Sequence, residues 1–286
     1  ICGSRDGSVS FIDVVRSEEN KQRIIFNIVG RRCNKAARCS SWSPNGKLLA
    51  VGYDDCAIRI WDPFKERCLA VLKSHFDSVK SVYWSPDSCS LVSGSDDNEV
   101  KIWTGIDLSR MKATSVFKHE GPVNAVVWLK NNTIISASDD KSIAFININC
   151  LENPVVKRKH SDRVYSLAVS PDGDYMISGG NDNYILMWNL ETLSCYKYNS
   201  GHPLPIRSIA WSSNQKHIIT SSNDCTINLR IFNSDKNKIC NEIYKFPKIH
   251  DDFIYGANLS KNEFYAIGGS TDSTVGFWRM PNRNFV

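Results

Sequence analysis

Residues 92–104 read VSGSDDNEVKIWT, and residues 177–189 read ISGGNDNYILMWN. Both place an apolar residue, small residues, an aspartate and an alternating run reaching tryptophan at the same offsets. The frame returns as ICGSRDGSVSFID (1–13), AVGYDDCAIRIWD (50–62), ISASDDKSIAFIN (135–147) and AIGGSTDSTVGFWR (266–279). In ITSSNDCTINLRIFN (219–233) the aromatic comes two residues late, which predicts a β-bulge before Phe232. The frame aspartates are Asp6, Asp55, Asp97, Asp140, Asp182, Asp224 and Asp272, in steps of 49, 42, 43, 42, 42 and 48 residues. A period of this size marks a repeat architecture.

Other residue types keep the same phase. His75, His119, His160, His202 and His250 precede their aspartates by 22, 21, 22, 22 and 22 residues. Trp61, Trp103, Trp188 and Trp278 follow an aspartate by six. Trp42, Trp84, Trp128 and Trp211 fall in the run after the histidine slot. That run alternates with period two, as in SVKSVYWS (78–85) and RVYSLAVS (163–170), and reads as a strand. Turns such as Pro44-Asn45-Gly46 and Pro171-Asp172-Gly173 follow, because Asn-Gly and Asp-Gly accept positive φ at low cost. Four strands fit into each repeat, which is the blade of a β-propeller.

These residues resemble the WD40 repeat family, with its Gly-His…Trp-Asp frame, over essentially the whole chain. The expected fold is all-β: a seven-bladed WD40 β-propeller forming one domain over residues 1–286. Blade one is expected to be incomplete. Its inner strand and histidine slot would lie upstream of residue 1, so the chain reads as a fragment of a longer one.

The recurring histidine, aspartate and hydroxyl residues could suggest a catalytic triad. A triad, however, occurs once per active site, and this set returns at a fixed period. A hydrogen-bonded network is the physical reading, in which each polar group satisfies another. The family resemblance implies the same, a stabilising tetrad. It places His75, Ser93, Asp97 and Trp103 in blade three, and His160, Ser178, Asp182 and Trp188 in blade five. Blade four offers His119, Ser136 and Asp140, with Ile146 for the tryptophan. Blade six offers His202, Thr220 and Asp224, with Phe232. Blade seven offers His250, Asp272 and Trp278, with Gly268 at the hydroxyl slot. Blade two has Cys33 and Val51 where histidine and hydroxyl are expected.

Composition narrows the function classes. The chain has 286 residues, a net charge of +5 and ten cysteines with no Cys-x-x-Cys pair. The cysteines read as reduced thiols, consistent with a cytoplasmic or nuclear protein. No apolar run reaches membrane-spanning length. The histidine slots are about 42 residues apart and lack the close spacing of a zinc motif. No phosphate-binding glycine loop appears. No metal, cofactor, small-molecule substrate or catalytic activity is expected.

Function is then sought where the repeats differ. The fifth residue after each histidine slot is Arg38, Lys80, Asn124, Tyr165, Arg207 or Tyr255. The resemblance places these residues at the channel mouth on the top face, where WD40 domains commonly bind peptides. Tyrosine and arginine are enriched at binding hot spots. The residue before the frame aspartate is acidic in blades two to four, at Asp54, Asp96 and Asp139. An acidic outer arc with basic residues nearer the channel is the expectation. Arg31-Arg32, with Lys35 and Arg38, and Lys157-Arg158-Lys159 form two basic clusters. The longer connections, 14–37 and 233–249, can carry partner-specific contacts. The leading reading is a non-catalytic protein–protein interaction scaffold acting through its top face. A peptide or degron reader is the second reading, and RNA association through the basic clusters the third.

Overall fold

In the computed structural model the described residues are 2–3, 6–7, 9–16, 22–28, 35–233, 238–261 and 263–281. Cys33, Arg31 and Arg32 lie outside them, as do 282–286. The chain divides into two compact units, 1–138 with 144–156, and 139–143 with 157–286.

All the sheets are antiparallel meanders, so each strand pairs with its neighbour in sequence. The first unit begins with a three-stranded sheet, Cys2–Gly3, Val9–Arg16 and Gln22–Ile28. Sheet two is Ala37–Trp42, Leu49–Tyr53, Ala57–Asp62 and Arg67–Lys73. Sheet three is Val79–Trp84, Leu91–Ser95, Glu99–Thr104 and Lys112–Lys118. Sheet four starts with Val123–Trp128 and Thr133–Ser138 and has two further strands.

In the second unit, sheet five is Val164–Val169, Tyr175–Gly180, Tyr184–Asn189 and Cys195–Asn199. Sheet six is Ile206–Trp211, His217–Ser222, Ile227–Asn233 and Lys238–Lys245. Sheet seven has three strands, Ile254–Leu259, Tyr265–Ser270 and Val275–Arg279.

The fold is therefore the all-β, blade-by-blade architecture expected. The expectation of seven blades needs correction: five sheets hold the four strands of a complete blade, and the first and last hold three each among the described residues.

The cores lie between consecutive sheets. Ile58, Ile60, Leu72, Val79, Val82, Trp84, Leu91 and Trp103 form one cluster, joining sheets two and three. Ile177, Ile185, Met187, Ile206, Ile209 and Ile218 form another, joining sheets five and six. Each such side chain contributes about 1.5–3 kcal/mol when fully buried. Close approach depends on small residues in the second strands. A Cβ on Gly94 would sit 2.5 Å from Val123 Cγ1.

The aspartate turn explains the recurrent residue. Each residue after a frame aspartate has positive φ, from 61 to 80°, at Gly7, Cys56, Asn98, Lys141, Asn183, Cys225 and Ser273. The aspartate holds this turn itself. Its Oδ1 accepts the N–H two residues on, at 2.9 Å for Asp97 with Glu99 and 2.8 Å for Asp272 with Thr274. Asparagine and aspartate are favoured in such turns because the side chain stands in for a backbone acceptor.

Candidate functional site

The second carboxylate oxygen reaches the histidine. In sheet three, His75 Nδ1 donates to Asp97 Oδ2 at 2.7 Å. His75 Nε2 accepts from Ser93 Oγ at 2.7 Å, and Ser93 Oγ accepts from Trp103 Nε1 at 2.8 Å. Sheet five repeats this with His160–Asp182 at 3.0 Å, His160–Ser178 at 2.7 Å and Trp188–Ser178 at 2.8 Å. The chain of donors requires a neutral imidazole. Burial pushes His75 below its ordinary pKa, against the pull of Asp97. Burial disfavours charge on Asp97 too, yet the N–H groups of Phe76 and Glu99 and the His75 ring outweigh it and keep the carboxyl ionised below the usual range.

The other repeats depart from this pattern in distinct ways. In sheet four, His119 Nε2 meets Ser136 Oγ at 2.8 Å, and Ile146 is fully buried at the tryptophan position. In sheet six, His202 bonds Asp224 at 2.7 Å and Thr220 at 2.9 Å. Around sheet seven, His250 Nδ1 bonds Asp272 at 2.8 Å, but Trp278 Nε1 donates to Pro247 O at 2.8 Å. With Gly268 at the hydroxyl slot, His250 Nε2 is buried and has no hydrogen-bond partner.

In sheet two, Arg59 takes over from the missing histidine. Its guanidinium bonds both oxygens of Asp55, at 2.9 and 2.5 Å, and lies 4.5 Å from the Tyr53 ring centre. Arg59 holds the Asp55 carboxyl below its ordinary range. Arg59 went unrecognised in the sequence reading because it follows its aspartate by four residues, whereas the histidine precedes by 22.

Sheet six needs a second correction. Ile218 faces Arg230 just as Leu91 faces Trp103 and Met176 faces Trp188. Arg230, not Phe232, therefore holds the tryptophan position, and the second and third strands pair without interruption. The register shift lies on the other side, against the fourth strand, between Arg230 and Phe232. Arg230 is buried and donates to the carbonyls of Asn199 and Cys240, the latter at 3.1 Å. Phe232 packs edge-on to Trp211 with ring centres 5.0 Å apart.

Sheets three and five hold complete networks; sheets two and seven each leave a buried ring nitrogen unpaired, Trp61 Nε1 and His250 Nε2. Amide exchange in the second and third strands of sheets three and five is expected to be about tenfold slower than in sheets two and seven. Hydrogen-exchange mass spectrometry showing the reverse order would refute this ranking.

The residues that vary share one backbone device. The register between first and second strands slips between Ala37/Cys39, Val79/Ser81, Val123/Ala125, Val164/Ser166, Ile206/Ser208 and Ile254/Gly256. The residues skipped are Arg38, Lys80, Asn124, Tyr165, Arg207 and Tyr255. Each is the extra residue of a β-bulge, which re-aims a side chain away from the two sheet faces. The bulge sits at the end of the sheet that carries the aspartate turn.

The expected acidic arc is not a free surface. In the first unit Arg38 makes two bonds to Asp54, at 2.5 and 2.8 Å, and Lys80 lies 3.3 Å from Asp96. In the second, Arg163 lies 3.7 Å from Asp139. Arg38 holds the Asp54 carboxyl below its usual range, with Ser78 adding a hydrogen bond. Arg207 behaves differently. Its Nε donates to Asn223 Oδ1 at 2.8 Å, and its guanidinium carbon lies 4.5 Å from the Tyr165 ring centre and 5.2 Å from that of Tyr255.

Comparison with known proteins agrees with this geometry. The family model "WD domain, G-beta repeat" matches residues 28–62, 66–104, 111–147, 153–189 and 193–229. "Protein FIZZY-RELATED 2" of Arabidopsis thaliana is 28% identical over 183 residues, covering 63% of this chain and 37% of that protein. "WD repeat-containing protein AAC3" of Dictyostelium discoideum is 28% identical over 180 residues, covering 60% and 37%. The chain thus spans well under half the length of these relatives. A chain in the solved structure titled "Crystal Structure of Mitotic Checkpoint Complex" superposes with a TM-score of 0.79 at 18% identity, over 98% of this chain and 88% of that one, a likeness of fold. Sequence period, blade topology and five matched repeats together establish that this chain belongs to the WD40 repeat family.

Proposed function

We propose that this chain is the β-propeller portion of a non-catalytic protein that assembles other proteins, and that it engages them through the end of its sheets carrying the bulges. The single observation behind this reading is the bulge set. Six first strands spend an extra residue at the same place, and the residue presented there varies among the repeats while the register slip and the aspartate turn beside it recur. A device that serves stability alone has no need of such variety. Arg38, Lys80, Asn124, Tyr165, Arg207 and Tyr255 are the contact residues of this reading, with Asp54, Asp96 and Asp139 setting the charge beside them. The tetrads act as the rigid support. The protein works in the cytoplasm or nucleus. The solved complex titled for the mitotic checkpoint and the relative titled "Cell division cycle 20.1, cofactor of APC complex" support an assembly role by likeness of fold and sequence.

Replacing all six bulge residues with alanine is the test. Affinity purification of the full-length protein should recover stoichiometric partners, and the sixfold variant should lose them by at least about tenfold while keeping its thermal midpoint. Undiminished recovery with the variant would remove this end of the sheets from the interaction.

A further inference from the structure

Arg38 and Asp54, Lys80 and Asp96, and Arg207 and Asn223 are each separated by 16 residues. They are one structural pair repeated: the bulge residue of the first strand and the residue before the frame aspartate. In sheets two and three the pair is a cation with a carboxylate. In sheet six the carboxylate is replaced by an amide. Asn223 Oδ1 occupies the Arg207 Nε at 2.8 Å and supplies no charge. Among the described residues, no carboxylate lies within ion-pair distance of Arg207, and its two terminal nitrogens make no hydrogen bond. Its neighbours on the adjoining first strands are tyrosines, stacked on it at 4.5 and 5.2 Å. The ring faces and Asn223 fix the guanidinium plane, so little side-chain freedom remains to be lost when a ligand binds. A fixed fork with its terminal donors unused is suited to bidentate capture of a planar or tetrahedral oxyanion.

We infer that Arg207, set between Tyr165 and Tyr255, is an oxyanion receptor for an acidic peptide segment of a partner protein, and rests on the interaction reading above. The shared chemistry is a carboxylate or a phosphorylated side chain. Nucleic acid is disfavoured by the surroundings. Among the described residues, Arg163 faces Asp139, and Asp162 bonds Asn181 at 2.5 Å, so the charge on the turns beside Tyr165 is already balanced. One open cation suits one anionic side chain, not a phosphate backbone. Tyr255, about half exposed, supplies apolar contact for the flanking residues of such a segment.

The decisive variant is Asn223→Asp. It restores the carboxylate that Arg38 and Lys80 already have and should engage Arg207 internally without disturbing the bulge. The probes are pentapeptide libraries, acetyl-X-X-Z-X-X-amide, with X randomised and Z fixed as glutamate, phosphoserine or glutamine, together with an eight-residue oligouridylate. The expected result is at least about tenfold enrichment of the glutamate or phosphoserine library over glutamine. That preference should fall to less than about twofold in Asn223→Asp and in Arg207→Ala, with unchanged thermal midpoints. Preference for glutamate over phosphoserine identifies a carboxylate source, and the reverse a phosphorylated one. No enrichment over glutamine, enrichment that survives Asn223→Asp, or oligouridylate binding tighter than either peptide would each overturn the assignment. Loss of oxyanion preference with partner recovery intact in Asn223→Asp would overturn the receptor and leave the interaction reading standing. Failure of the sixfold alanine variant to lose partners removes that reading separately.

Discussion

Trp188→Ala is expected to lower the free energy of unfolding by about 3–5 kcal/mol, the range for removing a large aromatic side chain from a close-packed core. Trp188 is fully buried in sheet five, so its removal opens a cavity among side chains with little room to collapse. It also takes the donor from Ser178 Oγ, which still has to serve His160 Nε2. The two losses can be separated. Trp188→Phe keeps most of the apolar volume and removes only the N–H, so it should cost about 1–2 kcal/mol. In a double-mutant cycle, Trp188→Phe with Ser178→Ala should show coupling of about 0.5–3 kcal/mol, because the residues share one network. Urea unfolding followed by fluorescence supplies both numbers. A Trp188→Ala cost below about 1 kcal/mol would mean that the network and the packing around it are dispensable.

Asp97→Ala is expected to cost about 3 kcal/mol at neutral pH, since a buried donor left without an acceptor, here the His75 ring, costs about 1–3 kcal/mol and two backbone N–H groups lose theirs as well. Three donors lose their acceptor together: His75 Nδ1 at 2.7 Å, Phe76 N at 3.0 Å and Glu99 N at 2.9 Å. The effect should depend on pH with a definite sign. The folded pKa of Asp97 is depressed below the ordinary 3.8, so the aspartate binds its proton more readily in the unfolded chain. Its contribution is complete above about pH 4 and is lost as pH falls through the folded value. His75 is depressed below 6.5, so its neutral-state contribution is complete above that pH and declines below it. The wild-type urea midpoint should therefore ease downward below about pH 6.5 and drop steeply below about pH 4. Over the lower range the gap between wild type and Asp97→Ala should narrow. A gap as wide at pH 3 as at pH 7 would show that the carboxylate charge has no part in stabilising the fold.

The framework was legible from the chain because its chemistry is local. An aspartate that caps its own turn, a residue of positive φ after it and alternating strands on both sides are settled by neighbours a few positions away. The histidine slot was legible for a different reason: repetition at a fixed distance stands out even when the contact is remote. The misread positions show where this approach fails. Phe232 drew the aromatic of sheet six to itself because it resembles tryptophan. The ladder shows that Arg230 holds the position, and only pairing with Ile218 reveals it. Arg59 was missed because it answers Asp55 from the opposite side in sequence.

The candidate site divides in the same way. Its six residues were located by counting five positions from each histidine slot, and that count alone singled out Tyr165, Arg207 and Tyr255. Pairing at these positions was not legible: within the expected acidic arc, Asp54 is engaged by Arg38 and Asp96 by Lys80. Sequence alone determined the repeat, the strands, the aspartate turns and the positions that vary, because those follow from nearest-neighbour chemistry and period. Only the tertiary structure decided that the varying positions are bulges and that Arg207, of these cations, meets an amide instead of a carboxylate. Side chains 16 residues apart meet only where the strand register slips, and no local pattern encodes that slip.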